Sequence, residues 1–256
     1  MKTLIEFVSN PIAVILYMYI GLWVWETVAP ARKLPEMKGW KIRGIAFFIF
    51  NFLLSTFFPL LVDKHLAMLQ LFNLENISPV TGALIGVTIY QALLYLWHRA
   101  MHSSDLLWKT FHQMHHSAER LDIPSAFYTS PLDTIGFTML GSLSFVLIIG
   151  LSPQAATISL LFLTFLSLFQ HSNIKTPQWI GYIIQRPESH SVHHGRGIHK
   201  YNYSDFPIFD ILFGTFKNPK EFNTETGFYD GASVRILDML VFKDVTMPVK
   251  IKNLKD

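Results

Sequence analysis

The chain has 256 residues, of which half are apolar and only 15% charged, with a formal net charge of +3 and no cysteine. A soluble domain carries about 25% charged residues, so this balance points to a membrane protein. The absence of Cys excludes disulfides, Cys-ligated clusters, Cys-containing zinc sites, a thiolate-ligated haem and a Cys nucleophile. The basic residues do not gather into one stripe, so nucleic acid is not an expected partner.

A membrane-spanning helix needs about 20 apolar residues. Pro11 to Val28 is the first such run, with Trp23 and Trp25 as interfacial anchors, and it reads as a retained helix without a cleavage-site pattern. Gly44 to Val62 is the second and Pro79 to Trp97 the third. Thr134 to Leu151 and Pro153 to Gln170 are separated only by Ser152, and they read as a tight helical hairpin. This topology puts 19 of the 21 Lys and Arg on one side and only Lys2 and Lys64 on the other. The short loop carrying Arg32, Lys33, Lys38, Lys41 and Arg43 makes the rich side cytoplasmic. Residues 217–256 read as a polar tail with turn signals and one mostly apolar run, Val234 to Phe242.

Ten of the 11 His lie between His98 and His199, all on the basic-rich side. His98 and His102 form HxxxH at the end of the third apolar run. His112, His115 and His116 form HxxHH on a new helix that Ser103 or Ser104 can cap, with Asp105 in its first turn. His190, His193 and His194 repeat HxxHH after the hairpin, on a short helix with Pro187 at its start and Gly195 as its stop. Residues three and four apart share a helix face, so each motif is expected to aim its imidazoles in one direction. A lone pair of this kind is commonly an ordinary surface or core pair. Three motifs on one side of one membrane are a metal site, and eight imidazoles are too many for one ion held by three or four protein ligands. Neutral imidazole suits zinc and iron.

The order HRxxH, nine residues, HxxHH, a membrane hairpin and a final HxxHH resembles the fatty acid hydroxylase and sterol desaturase superfamily of membrane di-iron oxygenases. Val192 to Arg196, Asn202-Tyr203 and Asp210 to Phe216 extend the likeness, with Phe209 standing where the family often has Trp. Phe169 to Asn173 resembles the family's additional His segment, which makes His171 a further ligand. Lys175 stands where some members carry a second His, and His199 is the candidate to replace it. The resemblance, over roughly residues 80–220, implies two iron ions, replaceable by zinc, that use O2 to attack an unactivated C–H bond of a fatty-acyl, lipid or sterol-like substrate. It implies His98, His102, His112, His115, His116, His171, His190, His193, His194 and His199 as the ligand candidates. Electrons are expected from a separate ferredoxin or cytochrome b5 type donor with its reductase, since no cytochrome b5-like segment is present. Asp105, Asp122, Glu188 and Asp210, with Glu119, are the carboxylates placed to orient the ligands' second nitrogens.

The expected fold is therefore an all-α integral membrane protein of four to five hydrophobic helices under a His-rich, metal-binding helical cap on the cytoplasmic side. One membrane domain is expected, with N-terminal helices in 1–79, a hydroxylase-like core in 80–216 and a cytoplasmic tail in 217–256. Two rivals use the same histidines. A membrane zinc hydrolase needs three ligands, a water and a carboxylate base, and the excess of His argues against it. A metal transporter needs ligands within the bilayer along a path, where these apolar runs carry almost no ionisable group. His65, alone on the far side, is expected to be an ordinary loop residue.

Overall fold

The structure is a computed structural model, and it describes residues 10–248. Lys2, part of the basic-residue count, and the end of the tail lie outside the described residues. Within them the chain is helical, without a sheet; only an isolated bridge joins Gly195 and Thr226. Five helices are long and apolar enough to cross a membrane. They are α1 (Pro11–Val28), α2 (Trp40–Ala67), α3 (Pro79–Ser103), α5 (Pro131–Ile148) and α6 (Pro153–His171). A short helical stretch, α4, covers residues 105–116 between α3 and α5; α7 (Pro187–His193), α8 (Pro207–Leu212) and α9 (Ile236–Leu240) follow α6.

The boundaries have simple causes. Pro opens α1, α3, α5 and α6, where its missing N–H costs nothing and its fixed φ is already helical. An Asn or Ser side chain caps each: Asn10 receives Ile12 N at 2.9 Å and Ser130 receives Asp133 N at 3.1 Å. Two spans run well beyond their apolar cores. Helix α2 begins at Trp40 and continues to Ala67, so His65 lies in a final helical turn instead of a loop. Helix α3 continues to Ser103 and carries both His98 and His102.

Helix α3 packs on α6, α2 on α5 and α1 on α6. Small residues permit the α3–α6 approach. Ala83, Ala155 and Ser159 are buried there, and a side chain on Gly86 would collide with Leu151. At one end of the bundle, residues 71–74 donate backbone N–H groups to the carbonyls of 147–150. The other end carries everything that matters for chemistry. The C-terminal ends of α1, α3 and α6 and the N-terminal ends of α2 and α5 all meet the cap there.

Polar bonds sew the cap to the bundle. Trp40 Nε1 donates to Asp122 at 2.9 Å, Asn51 donates to the Phe127 carbonyl at 2.8 Å, and Glu26 accepts from the backbone N–H groups of Ile123 and Asn173. The stretch read as a polar tail is packed as well. Met239 and Val245 are fully buried against Trp40, Met114 and Tyr128, and Arg43 donates to the Ser233 carbonyl.

Gly44 marks a close approach of α2 to the cap, because a Cβ there would overlap the backbone and ring of Pro124. Neither can swing aside. Gly44→Ala is therefore expected to destabilise the protein by about 1–3 kcal/mol, as overpacking does. Gly21→Ala, with open space around its Cα, is expected to be near neutral. Thermal unfolding of the two variants in detergent checks the contrast.

Candidate metal centre

The imidazoles come from four elements: His98 and His102 from α3, His112, His115 and His116 from α4, His171 from α6, and His190, His193 and His194 from α7 and its cap. They form two groups. His98, His102, His112, His116 and His193 make the first; His115, His171, His190 and His194 make the second. Within each group, one ring nitrogen per residue lies within 4.8 Å of all the others.

The motifs therefore do not aim all their rings one way. His112 and His116, four apart, share the first group, while His115 turns to the second. In the last motif His190 and His194 share the second group and His193 turns to the first. Adjacent residues on a helix point about 100° apart, so an HH pair must straddle two directions. The groups are consequently neighbours: the rings of His116 and His194 stack at 4.1 Å. Helix α4 reaches this phase through a π-helical turn, Trp108–His112, of the kind often found at functional sites.

Six of the nine rings are anchored through Nδ1, while Nδ1 of His115 and His194 has no partner and Nδ1 of His116 faces the His199 ring. Nδ1–H of His98 donates to the Tyr203 carbonyl (2.8 Å), of His102 to the His199 carbonyl (2.7 Å) and of His193 to the Tyr201 carbonyl (2.7 Å). Nδ1–H of His112 donates to Asp133 Oδ2 (2.9 Å), of His171 to the Ser167 carbonyl (2.7 Å) and of His190 to Gln185 Oε1 (3.2 Å). An imidazole that donates from Nδ1 presents a bare lone pair at Nε2. Those lone pairs face inward, and some face each other: His98 and His112 Nε2 lie 2.9 Å apart, His171 and His190 Nε2 3.0 Å. Two acceptors at that separation repel unless a cation lies between them. Nε2 of His102, His116 and His193 is buried without any partner, a cost of about 1–3 kcal/mol per atom if nothing binds there. Burial first, then neighbouring imidazoles, pushes the pKa values of His112, His116, His190, His193 and His194 well below the ordinary value. The rings are thus neutral ligands at physiological pH. These features fit a metal.

One loop supplies three of the anchors. Residues 199–204 give their carbonyls to His102, His193 and His98, and His199, Tyr201 and Asn202 all have positive φ. That backbone is strained for residues with side chains. Asn202 fixes it, donating to the Ser189 and Lys217 carbonyls at 2.9 Å and accepting from Lys217 N at 2.8 Å. Asp210 fixes it from the other end by accepting from the N–H groups of Tyr203 and Ser204.

The sequence-derived candidates therefore separate. His199 joins neither group; its ring Nδ1 faces His116 Nδ1 at 3.2 Å and its carbonyl anchors His102. Asp210 acts through the loop. Asp122 receives Trp40 and Arg120, Glu188 pairs with buried Arg186 at 2.8 Å and receives Thr176, and Glu119 receives Gly231 and Ser233 N–H groups. Asp105 is exposed in the first turn of α4. None of the five bonds an imidazole. The carboxylate that does is Asp133, fully buried in the first turn of α5. In the sequence it precedes an apolar run like any capping acid, which hides its partner.

A sequence model of the fatty acid hydroxylase family matches residues 83–215, a stretch that contains all ten of these histidines. Among curated proteins, the chain is 34% identical over 145 residues to sphinganine C4-monooxygenase 2 of Arabidopsis thaliana, covering 52% of this chain and 53% of that protein. It is 30% identical over 148 residues to a very-long-chain aldehyde decarbonylase of Oryza sativa subsp. indica, covering 52% and 53%. It is 30% identical over 139 residues to an ornithine lipid hydroxylase of Rhizobium tropici, covering 53% and 41%. The chain thus spans about half the length, or less, of these curated relatives. No solved structure matches it.

Proposed function

The chain belongs to the fatty acid hydroxylase family, and from that premise we propose that it is a membrane-bound non-haem di-iron oxygenase. It hydroxylates an unactivated C–H bond of a lipid, fatty-acyl or sterol-like substrate, using O2. Hydroxylation is preferred to desaturation because two of the three relatives above are named as a lipid hydroxylase or monooxygenase. Electrons come from a separate ferredoxin or cytochrome b5 type protein with its reductase. The metal end of the bundle is the cytoplasmic end, as the crowding of Lys and Arg there supports.

The observation that carries this reading is the pair of buried imidazole groups whose ring nitrogens converge within 4.8 Å, six of the nine rings being anchored through Nδ1–H. His98, His102, His112, His116 and His193 hold one ion; His115, His171, His190 and His194 hold the other. Bound there, the irons supply the reduction of O2 and the oxidising power to break a C–H bond. The protein supplies the rest. The 199–204 loop, Asp133, Ser167 and Gln185 fix ring tautomer and orientation, which outer hydrogen bonds do for metal-bound His. Phe137 lies edge-on to His98 and His112, with centroids at 6.2 and 5.9 Å, and gives the bundle side of the first group an apolar wall. An apolar chain entering from the bilayer meets that wall, which keeps water from the reacting carbon.

Purified protein is expected to hold about two metal ions per chain, iron in the active form, since each group has the three or more ligands one ion needs. Overexpressed protein is expected to carry some zinc, which competes well for imidazole. A reproducible content of one ion, under metal-replete conditions, contradicts the dinuclear reading. Elemental analysis against protein concentration makes the measurement.

A further inference from the structure

A second concave site lies on the cap end of the bundle, where the end of α1 and the start of α2 meet the cap. It is a cavity of about 270 Å³ lined by the cations Arg32, Lys33, Lys41 and Arg120, with Glu26 and Asp122 among its other walls. The acids are already engaged. Glu26 accepts from Ile123 and Asn173 N–H groups, and Asp122 accepts from Trp40 and Arg120. The cations are not all engaged. Lys33 and Lys41 are exposed and make no ion pair among the described residues, and Arg32 keeps Nε and Nη2 buried without a partner. The cavity therefore has donors and positive charge in excess.

It does not stop at the cap. A groove of about 220 Å³ continues from it along the outer face of α1, sharing Trp23, Thr27 and Lys41 and adding Ile20, Val24 and Val28. Those three apolar side chains are exposed, on a helix long and apolar enough to span the bilayer. Lys41 Nζ stands over the Trp23 ring at 6.0 Å, at the border between the two parts. Cations at headgroup level, an indole at the boundary and an aliphatic groove below it follow the order of a phospholipid from head to chain.

We propose that this composite site binds one anionic phospholipid, with its phosphate among Arg32, Lys33 and Lys41 and one acyl chain along Ile20, Val24 and Val28. A general excess of positive charge on the cytoplasmic side would attract anionic lipid without a defined seat. The site differs by combining unpaired guanidinium nitrogens, concavity and a joined apolar groove. The shared chemistry, a phosphate-bearing lipid, can come from the surrounding membrane or from a phospholipid substrate.

Native mass spectrometry of the full chain in detergent tests this, with dioleoyl phosphatidylglycerol and dioleoyl phosphatidylcholine as the probes. One phosphatidylglycerol is expected to bind at least about fivefold more tightly than phosphatidylcholine, since each nearby cation adds about 1 kcal/mol toward an anionic lipid. The Lys33→Gln/Lys41→Gln double variant is expected to lose about tenfold or more of that affinity, and Lys33→Arg/Lys41→Arg to keep it. Both positions are exposed, so folding is not at stake. Lys38→Gln, in the same loop but outside the cavity lining, is expected to change little. Equal binding of the two lipids, or a loss in Lys38→Gln as large as in Lys33→Gln/Lys41→Gln, overturns the proposal. Lipid retained from the host membrane without addition identifies a resident lipid. A bound lipid that gains one oxygen atom in the iron-loaded, reduced protein identifies a substrate. Either source fulfils the proposal.

Discussion

His193→Ala is expected to lower lipid turnover by more than about 100-fold, beyond the 10- to 100-fold typical of losing a group that only orients a metal ligand. The residue packs against three other members of the first group. Its ring centroid lies 4.5 Å from His98, 4.7 Å from His102 and 4.6 Å from His116. Its Nδ1–H is anchored on Tyr201 and its Nε2 has no partner. Metal content should fall with activity, because the first group loses one of its five imidazoles. His199→Asn is the matched control. It removes an imidazole outside both groups but keeps the backbone carbonyl that anchors His102, and Asn tolerates the positive φ at that position. Less than about a tenfold change in iron retention is expected there, since no ligand and no backbone anchor is lost, only the ring contact to His116 Nδ1. Parallel elemental analysis and product assays of the two variants check the distinction. If His199→Asn loses metal as fully as His193→Ala, the division into five and four ligands is wrong.

Asp133→Ala carries the second large effect. The carboxylate is wholly buried and accepts from His112 Nδ1–H at 2.9 Å. Without it, a buried imidazole N–H loses its acceptor and the ring is free to turn or to change tautomer. A loss of about 10- to 100-fold in metal affinity or activity is expected, while helix content stays that of the parent. Asp105→Ala, at an exposed site remote from the rings, should match the parent protein. Competition with a chelator, read as the concentration that strips half the iron, separates the two. Equal resistance of Asp133→Ala and parent would show that Asp133 and His112 merely lie side by side.

These residues also show what a sequence can and cannot disclose. The spans were legible because a bilayer demands about 20 apolar residues and because Asn10-Pro11, Ser78-Pro79 and Ser152-Pro153 are strong helix starts. The His-rich segments were legible because i, i+3 and i+4 spacing needs no tertiary information, and the short α7 was bounded by Pro187 and Gly195. The division of the rings into two groups was not, since it depends on the π-helical turn in α4 and on how α4 and α7 face each other. The anchors were harder still. Four are backbone carbonyls, which have no letter in the sequence, and three of those come from a loop held in positive φ by Asn202. Acidic residues near the motifs were the natural guess for that task. Asp122 and Glu188 instead hold the cap together, and Asp133 is brought to His112 only by the fold.

The central claim is that the paired imidazole groups drive oxidation of a lipid by O2, and lipid mass spectrometry under isotopically labelled O2 tests it most directly. Membranes holding the iron-loaded parent protein and a reduced electron donor are compared with membranes holding His193→Ala under the same conditions. The account predicts a lipid that gains one labelled oxygen atom in the parent sample alone. A parent protein with two irons per chain that leaves every lipid unlabelled, in membranes from its own source, would contradict it.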